Sequence, residues 1–352
     1  MQTTNTQHFP SGYPNFCVEL RLIMPSVSAR LRNRLDALRN AILDPDSKLA
    51  PHGLGPEPND NIIPAAALEQ LNIILHRHDF ELTASAETNL SYDPPILFEF
   101  QAASLLDEHP IAPKPGDTHD YSPGYLNGIY RYALGQQARS RSLAKYVIDW
   151  TLAGYPRALP KGFGTMAELC NITPVGVPHA LHPNALGFVR YLRHPGTCWL
   201  SYLYEYTTPP HTPHLLIVNT ISCTGEDYAI THGELAVLVT AMRNRALQPA
   251  QFNPDAARDS DAELSSGDED ELDIHVREGD LCFRNEHQFP VLMLSFMGPQ
   301  HGRIIYACMS GRQLVLRMSR LYSFIDGRSA PVKLFACALL SKPLFSEPFQ
   351  QL

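Results

Sequence analysis

The sequence predicts an α+β protein: a mixed β-sheet domain with flanking helices, preceded by a smaller N-terminal α+β unit. Three observations predict it. Residues 197–224 carry strand patterns of two kinds, alternating in "TCWLSYLYEY" and continuously apolar at first in "LLIVNTIS", and "FPVLMLSFMG", "RIIYACM" and "RQLVLRM" supply three more strands. Between them Thr231 and Glu234 have the Thr-x-x-Glu spacing of a capping box, opening a helix with Leu235, Leu238, Val239 and Met242 on one side. The first hundred residues read strand, helix, helix, strand, strand, an order suited to a small α+β unit.

The first element, "NFCVELRLIMP", alternates Phe16, Val18, Leu20, Leu22 and Met24 against Cys17, Glu19 and Arg21. Ser26 then caps a helix whose Val27, Leu31, Leu35, Leu38 and Ile42 share a face. After a Pro/Gly-rich loop at 45–63, "PAAALEQLNIILHRHD" reads as a second helix opening on Pro64, and "FELTASAE" and "PPILFEF" read as strands. The unit is expected to span 1–103, followed by a Pro-rich linker at 104–124 and the larger domain at 125–352. In that domain a helix is expected within 125–152, loop with short helices over 154–195, three strands after 289, and a closing helix near 332–341. The last two strands should form a hairpin across Ser310 and Gly311.

The charge of -8 is confined. Between Asp255 and Asp273 lie nine acids and one base, leaving 27 of each sign elsewhere. That segment, without apolar anchors, is expected to be a disordered insert at 253–275. A neutral body lacks the broad positive field on which nucleic-acid affinity depends, which argues against nucleic acid as a partner. No apolar run of about 18 residues occurs, so no membrane span is expected. The polar start has no signal-peptide pattern, and the expected location is intracellular, cytoplasm or nucleus. Seven cysteines without a CxxC pair read as reduced thiols.

Candidate site residues are few. Glu205 ends a strand and could ligate a metal or act in catalysis; Glu19 could ligate a metal. His211 and His214 form an H-x-x-H spacing on a Pro-flanked loop, which does not aim two imidazoles at one ion as a helix would. His232 lies at a helix start, where Glu234 already has a capping role. His301 and Arg303 share the tight "GPQHGR" turn and could meet an anion. Ser265 and Ser266 each have an acid three residues on, the pattern acidophilic kinases prefer. No cofactor is indicated, and the partner, protein or small molecule, stays open.

Three resemblances bear on function. The strand ending in Glu205, the apolar strand and the helix after it resemble the PD-(D/E)XK nuclease-like core. That would make Glu205 a metal ligand, yet Thr207 stands at the lysine position and no aspartate lies between Asp149 and Asp227. "FCVELRLIMP" resembles the G-V-E-x-E strand of amidoligase-type and glutamate-cysteine-ligase-type enzymes, with Glu19 at the first glutamate, Cys17 for the glycine and Arg21 for the second glutamate. "FPVLMLSFMGPQHGRIIYACMSGRQLVLRMSRLYSF" resembles a group of filamentous-fungal proteins of unassigned activity, which implies a source and no function. The expected function is therefore a non-catalytic or catalytically degenerate binding protein, with a diverged metal-dependent nuclease-like or ligase-like enzyme, or an enzyme of a fungal biosynthetic pathway, as the alternative.

Overall fold

The computed structural model describes residues 26–43, 61–112, 136–176, 179, 181, 190–191, 198–208, 211–251 and 277–345. The expected first strand with Glu19, the acidic insert with Ser265 and Ser266, and most of the Pro-rich linker lie outside them.

The centre is a mixed sheet. Strands Ile73–Arg77 (β1), Ile172–Pro174 (β3), Cys198–Tyr206 (β5), Leu215–Thr224 (β6), Val291–Gly298 (β7), His301–Ser310 (β8) and Gln313–Met318 (β9) lie in the order β1-β9-β8-β7-β6-β5-β3. Arg190–Tyr191 (β4) pairs with β5 and Tyr322–Ser323 (β10) with β8. Phe98–Glu99 (β2) pairs separately with Lys342–Pro343 (β11). The pairs β6/β7 and β1/β9 are parallel; β5/β6, β7/β8, β8/β9 and β3/β5 are antiparallel. Strands β1, β3, β6, β7 and β9 therefore all run one way, and their carboxyl ends share one edge of the sheet.

Alternation along each strand splits the core in two. Leu215 and Ile217 of β6 join Leu31, Leu35, Leu38 and Ile42 of Val27–Leu43 (α1) and the residues of His232–Ala246 (α7). Leu216 and Val218 face the other way, onto Gln136–Ile148 (α5) and Val332–Leu339 (α8). Helices thus cover both faces of β6, β7 and β8, and a strand dry on both sides must be apolar at nearly every position. That is the run read in "LLIVNTIS", and in β7 residues Val291 to Gly298 are likewise all buried. Gly311, at φ 59, makes the expected tight β8–β9 hairpin, a backbone region that costs glycine nothing.

Several expectations change. The helix expected from Pro64 stops at Gln70 (Ala65–Gln70, α2); Asn72 takes φ 49, and "IILHR" becomes β1. The β-branched pair Ile73–Ile74 suits a strand, and β9 supplies backbone partners from Ile73↔Leu314 to Arg77↔Met318. "FELTASAE" holds no strand: Ser85 accepts a hydrogen bond from the Thr88 amide at 3.2 Å and caps Ala86–Leu90 (α3). Ala103–Glu108 (α4) is a short helix that begins at the last residue of the expected N-terminal unit and runs into the expected linker. Segments expected in the N-terminal unit, α1 and β1, enter the central core and sheet directly. Met166–Leu169 (α6) is the short helix expected within 154–195. No helix among the described residues is long and apolar enough to cross a membrane.

Candidate functional site

The sequence candidates separate to opposite edges of the sheet. Glu205 and His211 sit where β5 ends and β6 begins; His232, His301 and Arg303 sit at the carboxyl edge. The ten residues of β6 between them span about 30 Å.

At the first edge, Glu205 points to the α7 side, like Leu203 two residues before it. There it meets Arg245, from the last turn of α7. Arg245 Nη1 donates to Glu205 Oε2 at 2.9 Å and to Gln248 Oε1 at 2.7 Å, and Nη2 donates to the Thr212 carbonyl at 2.5 Å. The guanidinium also lies 4.7 Å above the Phe283 ring and is 1% exposed. The other carboxylate oxygen faces His179 Nε2 at 3.7 Å, longer than a hydrogen bond. His179 Nδ1 accepts the Leu181 amide at 3.2 Å, so the neutral ring carries its proton on Nε2, toward Glu205. Burial holds the His179 pKa below its ordinary value, Glu205 pulling up and Arg245 down. His211 is exposed beside this group. His214, the other half of the H-x-x-H spacing, is buried, donates from Nε2 to the Leu344 carbonyl at 3.0 Å, and is pulled down by burial to about 3.

At the carboxyl edge, the turn after β6 is held from beneath by a fully buried ion pair. Arg303 Nε donates to Glu234 Oε1 at 2.7 Å and Nη2 to Oε2, while Nη1 reaches the Glu226 carbonyl at 2.9 Å. Glu234 also receives the Thr231 amide and hydroxyl, both at 2.9 Å, completing the capping box. Burial opposes ionisation of Glu234, but the Arg303 guanidinium and these donors outweigh it and keep the carboxyl below its usual pKa. His232 Nε2 donates to the Ile42 carbonyl at 2.8 Å and ties α1 to α7.

Above that pair, three strand ends converge. Asp79, after β1, accepts the Arg320 amide at 3.3 Å and faces the Tyr228 hydroxyl at 3.5 Å. Asp227 accepts the Leu321 amide at 2.7 Å. Arg77 lies 4.9 Å over the Tyr228 ring and Arg320 lies 5.3 Å over that of Tyr322. Tyr228 has φ 56, a left-handed conformation rare for an aromatic residue, which the surrounding contacts must hold in place. His301 lies half-buried beside Asp227; burial pulls its pKa down and Asp227 pulls it up.

Sequence reading missed Arg245, His179, Arg77, Asp79, Tyr228, Arg320 and Tyr322. Arg245 carried one signal, a cation in the last turn of its helix, which it shares with Arg243. "SRLYSF", directly after β9, pairs an arginine with an aromatic two positions on. Among the described residues no group of three or more His, Cys, Asp or Glu side chains could hold a metal ion. Cys170, Cys223, Cys282, Cys308 and Cys337 are free thiols, and burial pushes Cys223 and Cys308 up to about 12. Compared with family models, curated proteins and solved structures, the chain gives no match.

Proposed function

We propose that this chain is a binding protein without catalytic activity, or a catalytically degenerate one. The observation that supports this is the commitment of Glu205, the carboxylate best placed at a strand end, to the buried Arg245 guanidinium at 2.9 Å. A cation in that position neutralises the carboxylate and repels a divalent metal, the opposite of what phosphoryl transfer at Glu205 would need. Seven cysteines, odd in number and without a CxxC pair, fit a reducing compartment, cytoplasm or nucleus.

The test is turnover. The full chain is incubated with labelled DNA, and separately with ATP, in the presence of Mg²⁺ or Mn²⁺. No product above the metal-only control is expected. Metal-dependent product that disappears in Glu205→Ala would reverse the reading in favour of a diverged nuclease-like or ligase-like enzyme.

A further inference from the structure

The sheet ends at β1, whose outer edge no strand of the described residues covers. On the inner side the Asn72 carbonyl accepts the Leu314 amide at 3.3 Å and the His78 amide donates to the Met318 carbonyl at 2.9 Å. With the register unbroken from Ile73↔Leu314 to Arg77↔Met318, Ile74 and His76 bond to β9, and the amides and carbonyls of Ile73, Leu75 and Arg77 point outward. Ile74 and Leu75 are only half-buried although they lie inside the strand, and Leu75 packs against the core that α1 and α7 cover. An open edge of this kind is a template for another strand, and β1 carries neither a proline nor a bulge to blunt it.

We propose that this edge is a docking surface for the chain's own N-terminal segment, residues 15–25, added antiparallel to β1 as a further strand. The segment lies outside the described residues, ends where α1 begins, and has the period-2 alternation of Phe16, Val18, Leu20, Leu22 and Met24. The position of α1 fixes its direction. Arg34 of α1 donates to the Leu71 carbonyl, just before β1, and to the Arg312 carbonyl at the β8–β9 hairpin at 3.3 Å, so α1 starts from the amino end of β1. A segment that lies beside β1 and then enters α1 must run toward that end, against β1. Five residues match the length of β1, and the rest of the segment spans about 20 Å at about 3.3 Å per residue. The helix between Ser26 and Arg34 takes up about 12 Å, so the chain reaches. The apolar side of the added strand extends the Leu75 face, and Cys17, Glu19 and Arg21 take the more exposed side of Ile74 and His76. A tethered strand meets the edge at an effective concentration of about millimolar for a short linker, which favours it over a second copy. The inference stands apart from the binding reading above.

The experiment is hydrogen–deuterium exchange of the full chain, read residue by residue after electron-transfer fragmentation, with the molar mass followed by light scattering. Wild type is compared with Val18→Pro and Glu19→Pro. Backbone groups alternate in direction along a strand, so one of the two removes a donor aimed at β1. In wild type the Leu75 and Arg77 amides should be protected in a monomer, to the same degree at every protein concentration. In at least one proline variant both should exchange about tenfold or more faster, the loss of their hydrogen bonds, while Ile74 and His76, held by β9, keep their wild-type rates. Fast exchange at Leu75 and Arg77 in wild type overturns the inference. So does protection that survives in both proline variants, which assigns the edge to another segment, and protection that falls on dilution of a dimer, which assigns it to a second copy. Equal acceleration of all four amides marks unfolding rather than release of the edge and counts against the inference as well.

Discussion

Replacing Arg303 by Met should uncouple the loop after β6 and leave a buried charge behind. Glu234 is wholly buried, and two of its donors, Arg303 Nε and Nη2, vanish in the variant; only those of Thr231 among its named partners persist. Breaking one side of a buried ion pair costs about 3–5 kcal/mol, against a typical stability of about 5–15 kcal/mol. Loss of the Arg303–Glu226 contact belongs to the same change. The pH dependence separates this cause from simple loss of packing. In wild type Glu234 has its folded pKa below the unfolded 4.5, so its contribution is present above 4.5 and is lost as pH falls. In the variant, burial without Arg303 raises the folded pKa above 4.5, so the penalty grows as pH rises through that value. The deficit should be largest near neutrality and shrink toward pH 4.5. Urea unfolding read by tryptophan fluorescence across that range measures it, and Glu234→Gln combined with Arg303→Met should recover part of the loss. A deficit under about 1 kcal/mol at pH 7, or one independent of pH, would refute the reasoning.

Other outcomes follow from single contacts. His214 has a folded pKa of about 3 against an ordinary 6.5, so its neutral ring contributes fully above 6.5 and progressively less as pH falls; by pH 5 that loss is about 2 kcal/mol. Wild-type stability should therefore fall more steeply over this interval than that of His214→Gln, and parallel profiles would contradict the assignment. Gly154→Ala would place a Cβ 2.2 Å from Asp149 Cβ, where the helix widens over Asp149–Ala153, and should cost about 1–3 kcal/mol; an unchanged urea midpoint would exclude that crowding. We propose that Ser265 or Ser266 is phosphorylated; phosphopeptide analysis of native material showing neither modified would remove the proposal.

What the sequence disclosed depended on the range of the interactions involved. Strands β6 and β7 were legible because both faces are dry, and α7 because its capping box lies within four consecutive residues, Thr231 to Glu234. The hairpin at Gly311 was legible for the same local reason. Strand β1 was not. In "PAAALEQLNIILHRHD" the apolar positions satisfy a helix, and the strand forms because β9, more than two hundred residues later, supplies the backbone pairing. Glu205 stood out in the sequence as a strand-end carboxylate, but its meaning lies in Arg245, forty residues away. Arg303 likewise resembled a turn residue open to an anion until its partner Glu234, 69 positions earlier, came into contact with it. The stacked arginines at the carboxyl edge bring together the ends of β1, β6 and β9, a convergence with no local pattern to announce it.

The direct measurement of whether Glu205 serves structure or chemistry is titration of Mn²⁺ into wild type and Glu205→Gln, followed by the shift in melting temperature. With Glu205 bound to Arg245, wild type and variant should show the same small, unsaturable response to the metal. A saturable Mn²⁺ site in wild type that is lost in Glu205→Gln would contradict the proposal that this carboxylate has been taken out of catalysis.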